Sequence, residues 1–500
     1  MSESLEKFKA RSNRISRLGQ VASIAGWDQQ TYMPTGSAQA RGEQLAVISE
    51  FIHELSVSDE TGDLLSAAEA ETAGLDADSD EVRMVKVARR NFDLAHKLPG
   101  SLVAEISRQQ AVAMSAWQEA RATANFSLFA PSLKIMMELT RQSAEYIGYK
   151  DHIYDALIDQ SEIGATHQSI AAMFAELTPE LVKLTAQIRE AEQVDDSLIH
   201  GDFPIEKQKQ TTLSIVQKLG YDLTRGRQDE AAHPFCTSFS REDVRITTRY
   251  DARFLQQALY ASLHEAGHAM YEQGLPAAYS GTPIGQAASL GIHESQSRLW
   301  ENQVGRGRAF SKFVLPILQE AYPTQLGSAT PEAYYKAVNR VEPSFIRVEA
   351  DEVTYNLHVA LRFELESLVL TDKLAVDDLP DAWNARMKEY LGVTPINDAV
   401  GVLQDVHWAI GLIGYFPTYS IGNLVSAQLW KTISTVIPDV DEKIERGEFS
   451  EILSWLNTNV HAYGCKYLPG EIVVRATGAP LSAAPYLQYL NRKYADIYRL

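Results

Sequence analysis

The chain is poor in the features that would place it outside ordinary globular proteins. Only two cysteines, Cys236 and Cys465, occur in 500 residues. Two thiols build no disulfide framework, so the expected setting is a reducing cytoplasm. No run approaches the roughly 18 uninterrupted apolar residues that a membrane span requires. The nearest, "HWAIGLIGYFPTYSIGNLV", is broken by His407, Pro417 and Asn423. The start, "MSESLEKFKARSNRIS", has no apolar core of the kind a secretory leader carries. Excess positive charge is also missing. The formal net charge is −19, which argues against nucleic acid as a main partner and names no substrate.

Long linkers, internal repeats and low-complexity tracts are absent too. Helical spacing fills most of the chain: Leu5, Phe8, Ile15, Leu18 and Val21 mark one stripe near the N-terminus. "EVRMVKVARRNFDLAHKL" and "QSIAAMFAELTPELVKLTAQIREAEQ" read the same way. Short punctuation falls at 75–81, 98–101, 198–204 and 379–383. These signs predict a mainly α fold forming one catalytic unit over 1–500. One region departs from the pattern. "HPFCTSFSREDVRITTRY", 233–250, holds two stretches rich in β-branched and aromatic residues around "SRED", which predicts a β-hairpin.

The segment after that hairpin, "ASLHEAGHAMYEQG", has the H-E-x-x-H spacing. Asp251 is the expected N-cap. Leu255, Leu259, Leu263 and Met270 form an apolar stripe, and Gly274 with Pro276 ends the helix. On a helix, His264 and His268 lie one turn apart on the same face and can reach one ion. Glu265 flanks that ion as a general base, without having to bind it. The plain alternative is a helix whose histidines merely satisfy local hydrogen bonds. A catalytic zinc needs three protein ligands and an open position. Glu272 lies eight residues from His264, about 12 Å along the axis, too far to share the ion. The third ligand must therefore come from another element. A second helix, "GIHESQSRLWENQVG" at 291–305, offers Glu294 and Glu301.

These residues also resemble a known family. "HEAGHAMYEQG" followed by "HESQS" is similar to the carboxypeptidase Taq family of zinc metallocarboxypeptidases. "GWDQQTYMP" (26–34), "HPF" (233–235), "DVRIT" (243–247), "IRVEAD" (346–351) and "GVLQDVHW" (401–408) carry the same resemblance along most of the chain. It implies a mostly helical peptidase fold with a deep groove, to which the predicted hairpin adds a small sheet beside the metal-binding helix. It implies zinc, replaceable by cobalt, held by His264, His268 and Glu294, which favours Glu294 over Glu301. It further implies a cytoplasmic homodimer that removes single residues from peptide C-termini, broadly but poorly at proline.

Chemical roles remain to be filled. A tetrahedral oxyanion needs donors, and related zinc peptidases point to His407 and Tyr419. The alternative for Tyr415 and Tyr419 is simple core packing. A free substrate carboxylate suits a planar guanidinium: Arg347 is the first choice and Arg492 the second, with Tyr415 beside them in the binding role. An edge strand of the 233–250 hairpin can pair with an extended peptide. Asp243, Arg245 and His233 are expected to hold local geometry. Two other readings stay open: an endo-acting zinc oligopeptidase, and a non-catalytic helical scaffold with a structural metal. An intact Glu265 speaks against the scaffold, because binding a metal does not require it.

Overall fold

The computed structural model describes residues 3–500, and the chain is mainly helical with one three-stranded sheet. It forms two compact units. One comprises the chain up to His96, Asp195–Val338 and Val425–Leu481; the other comprises Lys97–Val194, Asn339–Leu424 and Ser482–Leu500. Both are discontinuous in sequence, which is why composition shows no boundary or linker. Among the described residues, no helix is long and apolar enough to cross a membrane.

In the first unit, the helix Glu3–Thr31 uses its predicted stripe only at one end. Leu5 and Phe8 pack with Leu65, Ala68, Val85 and Ala88. Ile15 and Leu18 are half-buried, and Val21 is 52 % exposed. The predicted hairpin is present as β2 (Cys236–Ser240) and β3 (Asp243–Thr248), antiparallel, with an irregularity between Ser238 and Ser240. A further strand, β1 (Gly226–Glu230), pairs with β3 in parallel and makes β3 central. Its sequence, "GRQDE", lacks the β-branched and aromatic residues that betray strands. Val244 and Ile246 of β3 are fully buried. The hydroxyl of Thr248 donates to the carbonyl of Ala258, tying the sheet to the next helix.

That helix runs Leu255–Gly274 and is buried nearly all round. Asp251 is not its cap. The cap position is Phe254, in extended conformation, while Asp251 accepts the backbone N–H of Arg253. The helix does stop at Gly274, followed by Leu275 and Pro276. Glycine there also answers a spatial demand, since a Cβ would sit 2.4 Å from Asn457 Oδ1 and 2.5 Å from His461 Nδ1. The second helix begins at Leu290, capped by the Ser289 hydroxyl, and ends at Arg298. A wider π-helical stretch, Leu299–Gly305, continues it.

In the second unit, the helix Tyr355–Leu370 is buried along most of its length. The segment 379–383 opens the helix Leu379–Leu391 instead of a loop. Pro380 sits in its first turn, where a missing N–H costs no hydrogen bond. Residues 393–416 are mostly irregular and carry Asp405, His407 and Trp408. Tyr419 follows, in the first turn of the helix Pro417–Val436.

Candidate metal centre

His264 and His268 project from the same face of the Leu255–Gly274 helix, as residues four apart must. What brings a carboxylate to them is a glycine. At Gly267 a Cβ would meet the Gln296 carbonyl oxygen at 2.6 Å and the Ser297 Cα at 2.7 Å. The second helix therefore lies backbone-to-backbone against the first, and Glu294 comes within reach. Its Oε2 stands 3.6 Å from His264 Nε2 and 3.4 Å from His268 Nε2. A tetrahedral ion with bonds of about 2.0–2.1 Å holds its ligands about 3.3–3.4 Å apart. Two imidazoles and one carboxylate with this convergence fit such an ion and leave one position open. Among the described residues these three form the one cluster with such ligand spacing. Of the two glutamates left open by spacing alone, Glu294 is the one that joins both histidines in this cluster.

The partners of each ligand explain their orientation. Glu301 Oε2 lies 2.9 Å from His264 Nδ1, so that nitrogen carries the proton and Nε2 keeps its lone pair. Arg298 donates through Nε to Glu294 Oε1 at 2.7 Å and through Nη1 to Glu301 Oε2 at 3.2 Å. The first of these bonds occupies Oε1, while Oε2 accepts from the Ser297 hydroxyl at 3.2 Å and faces the imidazoles. His268 Nδ1 lies 2.5 Å from His293 Nδ1, and His293 Nε2 lies 3.1 Å from Glu272 Oε1.

Electrostatics follow from burial and these neighbours. Burial works to raise the Glu294 pKa, but Arg298 and the two imidazoles outweigh it and hold it well below the usual carboxylate range. Burial likewise opposes Arg298 and His264 at Glu301, which still falls to about 2. Burial, helped by His293, pulls His268 down to about 3, so its imidazole is neutral and fit to ligate. At His264 burial is outweighed by Glu294 and Glu301, and the pKa rises. Glu265 is buried beside them, 6 % exposed, and burial pushes its carboxyl up to about 7. A carboxyl with that pKa can gain or lose a proton near neutrality.

The second unit assembles most of the other predicted residues. Arg347 is buried; its Nη2 and Nε donate to Asp405 Oδ1 at 2.9 and 3.2 Å, and its Nη1 donates to the Tyr355 hydroxyl at 2.9 Å. Its guanidinium lies over the Tyr419 ring, 4.8 Å from the centroid. His407 Nε2 is 3.3 Å from the Tyr419 hydroxyl, and its ring neighbours Tyr415 and Phe416. Arg362, with no exposed side-chain surface, pairs with Asp405 Oδ2 at 2.5 Å. Burial pulls Arg362 down to about 10; at Asp405 burial is overcome by Arg362 and Arg347, which hold it far below its usual value. Arg492 lies exposed on the helix Ala484–Tyr498. On the sheet, Arg245 donates to both oxygens of Asp243 and packs between Trp27 and Phe239, a structural arrangement.

Residue spacing did not reveal the supporting groups. Glu272 stands four residues after His268, and His293 immediately precedes Glu294. Both lay in view of the motif, but their use depends on how the two helices meet.

A helical fold carrying a two-histidine, one-carboxylate centre with a buried glutamate beside it defines a metallopeptidase. Comparison with known proteins makes this specific. Residues 7–494 match the carboxypeptidase Taq (M32) metallopeptidase family. Carboxypeptidase 1 of Bacillus subtilis (strain 168) is 39 % identical over 97 % of this chain and 97 % of its own. Thermostable carboxypeptidase 1 of Thermus thermophilus is 39 % identical over 99 % and 98 %. Among solved structures, the M32 carboxypeptidase of Deinococcus radiodurans R1 superposes with a TM-score of 0.97 at 40 % identity, over 100 % of both chains. The chain belongs to the carboxypeptidase Taq (M32) family. It is a metallocarboxypeptidase, a peptide hydrolase that uses a metal cofactor.

Proposed function

We propose that the protein is a zinc carboxypeptidase that removes single residues from peptide C-termini, with broad preference and poor action at proline. The observation that carries this reading is the meeting of His264 Nε2, His268 Nε2 and Glu294 Oε2 beside the buried Glu265. Two imidazoles and a carboxylate suit zinc, and cobalt is expected to substitute.

When bound, zinc supplies a lowered pKa for water and a polarised substrate carbonyl. Glu265 accepts the proton of the attacking water on a carboxylate oxygen and returns it to the leaving amine nitrogen. His407 and Tyr419 donate hydrogen bonds to the developing oxyanion, and Tyr415 contributes to substrate binding. Arg347 receives the substrate carboxylate, with Arg492 as an auxiliary cation. Support for Arg347 comes from charge. Two buried guanidiniums share the single carboxylate of Asp405, so the cluster holds an excess of positive charge that an incoming anion would neutralise. The two free thiols are in keeping with a reducing cytoplasm. The homodimer is proposed from family resemblance.

The test pairs metal analysis of the purified protein with mass spectrometry of one peptide bearing a free or an amidated C-terminus. Stepwise loss from the free C-terminus, little cleavage of the amide and about one zinc per chain are expected. Equal cleavage of both peptides at internal bonds would replace this reading with the endo-acting one.

A further inference from the structure

We infer that Glu272 and His293 form a relay that sets the tautomer of His268 and thereby aims its Nε2 lone pair at the metal. This inference rests on His264, His268 and Glu294 being the metal ligands.

The geometry is a single line of contacts. Glu272 Oε1 lies 3.1 Å from His293 Nε2, and His293 Nδ1 lies 2.5 Å from His268 Nδ1. An ionised carboxylate can only accept, so His293 Nε2 must carry a proton. With that proton on Nε2, His293 Nδ1 is the ring's acceptor. His268 Nδ1 must then be the donor in the short contact between the rings. With its one proton on Nδ1, His268 has a bare Nε2, and that atom faces Glu294 Oε2 at 3.4 Å.

The opposite tautomer is selected against at both ends. A proton on His293 Nδ1 would set a lone pair against the Glu272 carboxylate. A proton on His268 Nε2 would block the ligand position. The two helices are tied together by the same contacts, since Glu272 lies one turn beyond His268 and His293 immediately precedes Glu294. His264 reaches the same state by a shorter route, directly through Glu301. The two ligands are therefore not equivalent. One is supported by a carboxylate, the other by an imidazole with a carboxylate behind it. Partners of this kind typically change metal affinity by about 10–100-fold when removed. Glu272 and His293 touch no substrate in this scheme; they are positioning residues.

Zinc affinity, measured by competition with a fluorescent chelator, tests the relay on the full-length protein. Glu272→Gln is isosteric but tolerates either tautomer, because an amide can donate or accept. It should raise the zinc Kd about 10–100-fold, and His293→Ala should do the same. Because the two groups act in series, the double variant should bind zinc about as well as His293→Ala alone. Melting of the metal-free proteins controls for folding, and His293→Gln serves if His293→Ala is unstable. The visible absorption of the cobalt-loaded protein should shift in Glu272→Gln, which a mere packing role would not cause. Unchanged zinc affinity in Glu272→Gln, or effects that multiply in the double variant, would overturn the relay. His268→Ala separates the two levels of the argument: if it binds zinc as tightly as the native protein, the ligand assignment itself has failed.

Discussion

Two buried charge clusters, one in each compact unit, are made from opposite materials. Around His264, His268 and Glu294, three lone-pair-bearing atoms point at one another. Around Arg347, Arg362 and Asp405, donors point at an acceptor. Atoms that accept but cannot donate repel at close range unless a cation lies among them. The first cluster is thus complete only with an ion, or with a proton standing in for one. Against burial, Glu294 and Glu301 raise His264, and Arg298 with the two imidazoles lowers Glu294, while burial keeps His268 neutral. The second cluster holds its own counter-charge and keeps a surplus of positive charge. Similar burial therefore gives one cluster of converging acceptors and another with a surplus of buried positive charge.

The contrast can be broken or sharpened by experiment. The largest effect is expected at Glu265. Glu265→Gln should lower kcat by about 10²–10⁴-fold while zinc content stays native, measured by peptide turnover and metal analysis. A variant with native turnover would remove Glu265 from the chemistry. Stripping the metal with a chelator should abolish activity and lower the melting temperature, and added zinc should restore both. With free zinc at about a thousand times Kd, the stabilisation is about 4 kcal/mol. The second cluster should show no such response to chelation but should fail when its anion is removed. Asp405→Ala strands two buried guanidiniums and should cost about 3–5 kcal/mol in denaturant unfolding.

Packing at the first cluster gives a smaller effect. Gly267→Ala forces a methyl group into the backbone of Gln296 and Ser297. It should cost about 1–3 kcal/mol and weaken zinc binding, because Glu294 moves with that backbone. Unchanged zinc affinity would show that the helix contact does not set the site.

The smallest expected effect is a pH slope in the second unit. Glu366 is fully buried, and burial lifts its carboxyl to about 7 despite bonds from Gly414, Trp408 and Tyr154. Between its ordinary value near 4.5 and about 7 the native state keeps a proton that the unfolded chain has released. Its contribution to stability is therefore full below about 4.5 and is lost as pH rises toward 7. The limit is about 1.4 kcal/mol per pH unit. Subtracting the unfolding free energy of Glu366→Gln, which mimics the protonated form, should isolate that slope between pH 5 and 7. No difference in slope would show that Glu366 stays ionised.

These outcomes bear on how much was legible beforehand. The H-E-x-x-H helix, the hairpin before it and the second helix with its glutamate were readable because each rests on local periodicity. Asp251 misled as a cap, because the chain reaches the helix in extended form and Asp251 satisfies Arg253 instead. Strand β1 was hidden, since "GRQDE" pairs through its backbone and carries no side-chain signal. "LPDAW" read as a break, but proline in a first turn starts a helix as readily as it ends one.

The sequence by itself determined which groups share a helical face. His264, Glu265 and His268 are fixed by 3.6 residues per turn, whatever surrounds them. Only the tertiary structure decided that Glu294 would meet them and that Glu301 would stand behind His264. It also decided that Glu272 and His293 would join at His268. Those outcomes depend on two helices meeting without a Cβ at Gly267, and the distance between separate elements is a property of packing that no local pattern encodes.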